Sequence, residues 1–387
     1  MRVTRYLPVV IAVLLAVSVA YFDISTLPFS SGTTNSTLAV VYPDSLDESE
    51  VTDQFAFQIL SAEGIHVNPT YYSSPTLAYE SLISGQQDIA YDESGGSFGI
   101  GGFQQQTTCV GGYMLSGSFI AIVGDGITNP TQLLGKTAED SGPGTITRFL
   151  NEYWFKEAGI QFNANTQVNG TVYLKAGLEN YNLIQDLEKG VVQEVVVDSF
   201  ILPDLESSSV NSTSNGGPFH VLFYSPNNIF DSCYVVRDDW LVNPANQRIL
   251  VEFLSAIYQA QRIFIANPAA FVPFAEKLLP YSPLGEIRNT STLYPAHFTY
   301  WPYGEYNLQG DQNVSIKFEN TVNFYVQAGV LSGPVQNDSV KPYGIVNKYF
   351  ELKALQSLGP YDYPNESWVT LNFTSDIHSW VPSWMGS

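Results

Sequence analysis

The residues best placed to do chemistry form short polar clusters, each following an apolar run: Asp44-Ser45, Ser73-Ser74, Asp92-Glu93-Ser94, Ser141-Gly142 with Thr145, and Asp198-Ser199. Carboxylates and hydroxyls of this kind accept hydrogen bonds from a ligand. The helix starts they open present backbone N–H groups with no partner inside the helix. Tyr42 and Tyr91 end the apolar runs beside two of the clusters and offer rings for stacking on a planar molecule. Such a set binds small molecules rather than cutting them. Polar residues cap helices everywhere, so one cluster alone means little. Their recurrence after successive strands is the signal, because ligands of open α/β sheets sit outside the carboxyl ends of the strands. The helix N-termini at Ser45, Ser74 and Gly144 suit an anion. Against that, the set holds four carboxylates and no Lys or Arg, which favours a neutral or amine-bearing organic ligand.

Catalytic signatures are thin. Gly95-Gly96-Ser97-Phe98-Gly99 matches G-x-S-x-G, but the nucleophile elbow needs a helix after it, and Ile100-Gly101-Gly102-Phe103 is a poor helix start. Glycine there suits a loop whose backbone passes close to something. His66, His220, His297 and His378 lack metal-ligand spacing. Asp92 and Glu93, adjacent on a strand, point to opposite faces. There is no phosphate loop and no full dinucleotide fingerprint. The expectation is a non-enzyme with no metal and no cofactor.

The elements that must position these clusters alternate. Leu38 to Tyr42 reads as a short strand. Ser45-Leu46-Asp47-Glu48 resembles a capping box, opening a helix with Val51, Phe55 and Ile59 at four-residue spacing. Ile65 to Tyr72 is strand-like. Ser74, Pro75 and Gly85 delimit a second helix, and Asp88 to Tyr91 is a third strand. This β-α-β-α-β order predicts a parallel sheet with packed helices. A second unit follows: a β-rich run from Ser118 to Val123, a helix carrying Ile146, Phe149, Leu150 and Tyr153 and closed by Gly159, another ending at Gly190, and a buried strand from Val191 to Val197. Beyond Tyr234-Val235-Val236 the pattern is mostly helical. One long helix carries Leu250, Phe253, Leu254, Ile257 and Phe264, and Pro268 opens the next. Another carries Val314, Phe318, Val322, Tyr325 and Val326, and a last one spans Phe350 to Leu358, capped by Asn347 and stopped by Gly359.

Composition narrows the setting. The chain has 387 residues with 44% hydrophobic and only 14% charged residues, and its formal net charge is −21. Nucleic-acid binding needs clustered Lys and Arg, which are missing. Low charge density with many aromatics also argues against disorder. Arg2 and Arg5 precede an uncharged apolar run from Leu7 to Phe22, a secretory h-region too short for a comfortable membrane span. Ser18-Val19-Ala20 permits cleavage; an uncleaved signal anchor is the alternative. Eight N-x-S/T sequons at Asn35, Asn169, Asn211, Asn289, Asn313, Asn337, Asn365 and Asn372 agree with export. The two cysteines, Cys109 and Cys233, read in an exported chain as a disulfide pair, with two buried thiols as the alternative.

Several stretches, in order, resemble a known family. These are Pro75 to Ala90, Leu133-Leu134-Gly135-Lys136-Thr137 with Ser141 to Thr145, Val236 to Trp240 with Asn243-Pro244, Phe324 to Gly329, and Val346 to Gly359. They are similar to solute-binding proteins of ABC importers, in the branch grouping SsuA with thiamine-pyrimidine proteins. The resemblance implies an α/β, two-lobed type II periplasmic-binding-protein fold. Each lobe is then a mostly parallel sheet flanked by helices, with two crossover strands as hinge. By position, 1–24 is a signal peptide or anchor and 25–37 a Ser/Thr-rich linker. Lobe 1 spans 38–116 and 225–359, lobe 2 spans 117–224, and 360–387 is an unassigned tail. The crossovers fall near Cys109 to Ile122 and Ser232 to Val236, side by side, which brings the two cysteines together. The implied function is extracellular capture of a small solute, closure about the hinge and delivery to a membrane permease, by a monomer. The allowed solutes are sulfonates, nitrate or nitrogen heterocycles. The rival on this fold, a thiamine-pyrimidine enzyme, carries a cysteine-rich motif that two distant cysteines do not supply. An exported glycoprotein using the fold for surface interaction is the other alternative.

Overall fold

The computed structural model describes residues 36–43, 51–72, 75–93, 107–115, 119–124, 126–143, 145–177, 180–198, 219–224, 230–266, 276–278 and 347–359. The first unit runs β1 (Ser36–Tyr42), α1 (Val51–Ala62), β2 (Ile65–Tyr71), α2 (Pro75–Ile83), β3 (Ile89–Glu93) and β4 (Thr107–Leu115). The second runs β5 (Phe119–Val123), β6 (Thr137–Asp140), α3 (Ile146–Glu157), β7 (Phe162–Asn163), β8 (Val172–Ala176), α4 (Asn180–Glu188), β9 (Glu194–Asp198) and β10 (His220–Tyr224). The chain then returns through β11 (Phe230–Arg237), the single turn α5 (Asp238–Leu241), α6 (Pro244–Ala266) and α7 (Tyr349–Leu358).

The strands form two sheets, β2-β1-β3-β11-β4 and β10-β5-β9-β6-β8-β7. In the first, β1 pairs in parallel with β2 and β3, while β11 lies antiparallel between β3 and β4. In the second, β7, β8, β6 and β9 are parallel, and β5 and β10 complete the edge antiparallel. The chain leaves the first sheet after β4 and rejoins it at β11. Those two strands are the predicted crossovers, and they are neighbours.

Period-two alternation puts every second side chain on one face. Leu38, Val40 and Tyr42 of β1 therefore meet Phe57 and Leu60 of α1 and Phe253, Leu254 and Ile257 of α6 in one core. Full burial of each such side chain contributes roughly 1.5–3 kcal/mol. In the second sheet, Val195 and Val197 face Leu183, Ile184 and Leu187 of α4. On the opposite face, Val123, Ala138 and Leu174 meet Phe155 of α3. Asn243 opens α6 by accepting the Ala245 N–H at 3.0 Å, with Pro244 at the first helical position.

The structure corrects some expectations. The four-residue spacing of Val51, Phe55 and Ile59 marks the edge of the buried stripe of α1: Val51, Ala56, Phe57 and Leu60 are buried, and Phe55 and Ile59 pack partly buried against the core. The successive 100° steps of a helix turn an i, i+4, i+8 line around its surface. The strand expected over Val191 to Val197 is Glu194–Asp198, and Val191 is 53% exposed. Strands β7 and β8 carry no long apolar run and were not foreseen from the sequence. The last helix has Lys348 at its N-cap, although Asn347 does accept the Tyr349 N–H at 3.0 Å. The Gly95–Gly99 motif, the Pro268 and Val314 helices, residues 1–35 and the tail lie outside the described residues. Among the described residues no helix is long and apolar enough to cross a membrane. Asn169 is exposed on a turn, and the other sequons lie outside the described residues.

Cys109 of β4 and Cys233 of β11 are both buried and are joined as a disulfide with Cα atoms 6.0 Å apart. A link across 124 residues of sequence removes chain entropy from the unfolded state and contributes roughly 2–4 kcal/mol. Thiol titration of the denatured, unreduced protein is expected to find no free thiol. Two reactive thiols would overturn the pairing.

Candidate functional site

Each sheet holds a point where chain order changes direction between parallel strands. In the first, the chain moves from β1 to β2 on one side and then to β3 on the other. In the second, it moves from β6 to β8 and then back to β9 on the far side of β6. The crevices between β1 and β3, and between β6 and β9, are topological switch points, where open α/β sheets bind ligands. The strand ends there are Tyr42, Tyr91 to Glu93, Asp140 and Asp198. These are the ends that precede the polar clusters of the sequence.

Around the first switch point, Tyr42 and Tyr91 are not stacking platforms. Tyr42 is fully buried and donates from its hydroxyl to Asp53 of α1 at 2.6 Å, and Tyr234 of β11 donates to the same carboxylate oxygen. Tyr91 packs against Tyr42 and Tyr234, with ring centroids 5.9 and 5.3 Å away. Burial, with Asp53 next, holds both the Tyr42 and Tyr234 hydroxyls protonated far above the usual range. Strand periodicity explains the correction: Tyr42 and Tyr91 share the inward face with Val40 and Ile89, so their rings go to the core. They anchor the strand ends instead of touching a ligand. Asp92 and Glu93 lie on β3 opposite Cys233 and Ser232. Asp44, Ser45, Ser73, Ser74 and Ser94 are outside the described residues, as is Ser199.

The second switch point is built around a buried ion pair. Asp140 ends β6, and its two carboxylate oxygens each accept from Arg148 Nε of α3 at 2.8 Å. Asp140 is fully buried and Arg148 is 5% exposed. Asn151 donates to the same carboxylate at 3.1 Å, and the Gly142 N–H at 2.9 Å. Burial pushes the Asp140 carboxyl up, with Arg148 pulling against it. The loop from Ser141 to Thr145 folds onto this pair. The Ser141 N–H donates to Thr147 Oγ1 at 3.2 Å. Thr145 caps α3 by accepting the Arg148 N–H at 3.2 Å and donates to the Gly142 carbonyl at 2.7 Å. Gly142 sits at φ +96°, and a Cβ there would meet the Ala176 Cβ at 3.2 Å, so the loop requires glycine.

The polar groups of Gly142 and Thr145 are thus spent on loop geometry. Ser141 of this loop is half-buried, and the first N–H groups of α3 have no partner inside the helix. Asp198 ends β9 beside them and is half-buried. Sequence reasoning missed Arg148 and Asp140. The available signal was a carboxylate ending a strand-like segment, followed by an Arg three residues after a Thr N-cap.

No protein-family profile matches the chain, and no curated sequence matches it. Solved structures do. The nitrate-binding protein NrtA of Synechocystis PCC 6803 matches with a TM-score of 0.60 at 10% identity, over 84% of this chain and 89% of that one. The aliphatic sulphonate-binding protein SsuA of Escherichia coli gives 0.55 at 12% identity, over 79% and 94%. The Candida albicans CA3427 gene product, described as defining a new family with the generic periplasmic-binding-protein fold, gives 0.55 at 15%, over 83% and 95%. At these identities the likeness is one of fold: the chain is an α/β protein with the type II periplasmic-binding-protein fold.

Proposed function

We propose that the chain is an extracellular solute-binding protein, which captures a small organic solute between two lobes and delivers it to an ABC permease in the membrane. The observation that carries this reading is the position of both switch points. Polar residues end the strands at both points, Asp92 and Glu93 on β3 and Asp140 and Asp198 on β6 and β9, and we infer that they accept from a ligand there. The lobes divide as 38–116 with 225–359, and 117–224, and closure about the β4–β11 crossovers traps the solute. Two of the neighbours named above, NrtA and SsuA, are binding proteins, which supports a binding role over catalysis.

The solute we infer is neutral or amine-bearing. Arg148, beside the second switch point, is neutralised by Asp140. The loop N–H groups of Ser141 and Gly142 are already donated inward. Asp92 and Asp198 then accept N–H groups of the ligand. A thermal-shift screen across amines, nitrogen heterocycles, sulfonates and nitrate tests this, since a ligand of the folded state raises the melting temperature by mass action. A hit is expected among the amines or heterocycles. Asp198→Ala and Asp92→Ala should each weaken it by about 1–3 kcal/mol. Tight binding of a sulfonate or nitrate, unaffected or improved by those substitutions, would overturn the ligand class. No hit in any class would count against solute capture itself.

A further inference from the structure

The two crossover strands are not held alike along their length. β11 pairs with β3 without interruption, from Ser232 opposite Glu93 to Val236 opposite Ile89. Against β4, the edge strand of the sheet, its register shifts three times. Thr107, Thr108 and Cys109 face Arg237, Val236 and Val235 in regular order. Val110 is then an extra residue, because Gly111 faces Tyr234, the next residue of β11. Another extra residue of β4 follows before Met114 faces Ser232, and Asp231 is extra on β11 before Phe230 faces Leu115. Each such bulge interrupts the ladder and adds local twist.

The regular half of β4 is pinned by its neighbours. The Tyr79 and Thr107 hydroxyls are bonded at 2.7 Å, and Thr108 donates to Asp238 at 2.6 Å. The Cys109 carbonyl accepts the Asn347 N–H at 2.8 Å, and Val110 lies in the core with Tyr234 and Phe253. At Gly111 the strand approaches α6 so closely that a Cβ would meet Leu254 Cδ2 at 2.9 Å. Beyond it come a second glycine, Gly112, and a pairing made of shifts alone.

The disulfide sits at this boundary. Cys109 is the last residue of β4 in regular register, and Cys233 lies on β11 past the Tyr234–Gly111 pair. The bond therefore crosses the shift beside Val110 diagonally. A one-residue slip of β4 would turn Cys109 to the opposite face. A bridge with its Cα atoms 6.0 Å apart forbids that. The contact with α6 does not forbid it alone, because Gly112 also lacks a Cβ.

We propose that the disulfide is a stop, which confines bending between the lobes to 111–115 of β4 and 230–231 of β11. It keeps opening of the edge strand from running back into 107–110. The proposal rests on the reading of β4 and β11 as crossovers between two lobes. Successive glycines suit the bend, since glycine takes backbone conformations that other residues do not. On β11 the ladder to β3 begins only at Ser232, so 230–231 leave it at the same level.

Hydrogen–deuterium exchange of the full chain, resolved to single amides and run without ligand, tests this, because exchange reports local opening. In the wild type, 112–115 should exchange about tenfold or more faster than 108–110. In the double variant Cys109→Ala with Cys233→Ala, 108–110 should speed up about tenfold or more relative to 89–93 of β3. Reference to β3 removes the general loss of stability that follows from losing any bridge. Cys109→Val with Cys233→Ala, which refills the space, serves if the first variant does not fold. Equal protection along β4 in the wild type, or a rise in the variant that is the same in β3 as in β4, would each overturn the proposal. The measurement needs no solute, so it can fail while solute capture stands.

Discussion

Replacing Arg148 by Met is expected to lower stability by about 3–5 kcal/mol. The guanidinium lies against both oxygens of a fully buried carboxylate and reaches the Lys175 carbonyl at 3.3 Å. Removing it leaves Asp140 charged in a space that water does not reach, or forces it to take up a proton. Either outcome costs far more than the loss of an exposed ion pair, which contributes roughly 0–1 kcal/mol. The double variant Asp140→Asn with Arg148→Met should recover part of the loss, because no uncompensated charge then remains. The Ser141 to Thr145 loop should suffer in both, since Asp140 also accepts the Gly142 N–H. Urea unfolding of the two variants and the parent protein reads the effect directly. A loss below about 1 kcal/mol for Arg148→Met would show that the pair is not what holds this loop.

Replacing Glu194 by Leu is expected to act in the opposite direction. Glu194 opens β9 on the face that meets α3, across from Val123 and Ala138, and both its carboxyl oxygens are buried without a hydrogen-bond partner. Burial, with the nearby Asp140 charge second, raises its carboxyl well above the usual range. In the unfolded chain the same group titrates near 4.3. Above that pH the unfolded state releases its proton while the folded state keeps it. The unfolded state then binds fewer protons, so stability falls as pH rises from the unfolded value towards the folded one. Glu194→Leu removes both the unmatched polar group and this proton linkage. At pH 7 the variant should gain about 1–3 kcal/mol, and the gain should shrink as pH is lowered towards 4. Denaturation curves at a series of pH values measure it. Parallel stability profiles for the two proteins would sink the argument. Asp140, also raised by burial, remains in both proteins and cancels in the comparison.

Glu194 also shows why part of the second unit could not be read in advance. In sequence it precedes three valines and looks like the polar end of an apolar run. Its burial follows from strand order, because β9 is inserted between β5 and β6 and both of its faces are covered. The same holds for Glu139 and Lys175, which are ordinary surface residue types until β8 and α4 close over them. Strands β7 and β8 were invisible for a related reason: a strand of two residues and one reading Val-Tyr-Leu-Lys-Ala carry too little period-two signal to stand out. Tyr42 and Tyr91 failed differently. Tyr42 does end β1, but β3 runs on past Tyr91 to Glu93, and the face both tyrosines occupy depends on pairing register, which turned both rings into the core.

What the sequence determined by itself is local and periodic. Alternating apolar runs and capped helices gave the β-α-β-α-β order, most element boundaries to within a few residues, and the polar residues that follow each strand. These depend on contacts between residues near each other in the chain, so they can be read from spacing alone. The tertiary structure decided which strands became neighbours, and with that the two switch points, the pairing of Asp140 with Arg148 and the approach of Cys109 to Cys233. Each of these joins positions on different elements, and no periodicity within one element carries the distance between two others. Burial finally sets the energetics, because the same carboxylate that is harmless in water becomes decisive once packing removes the solvent from around it.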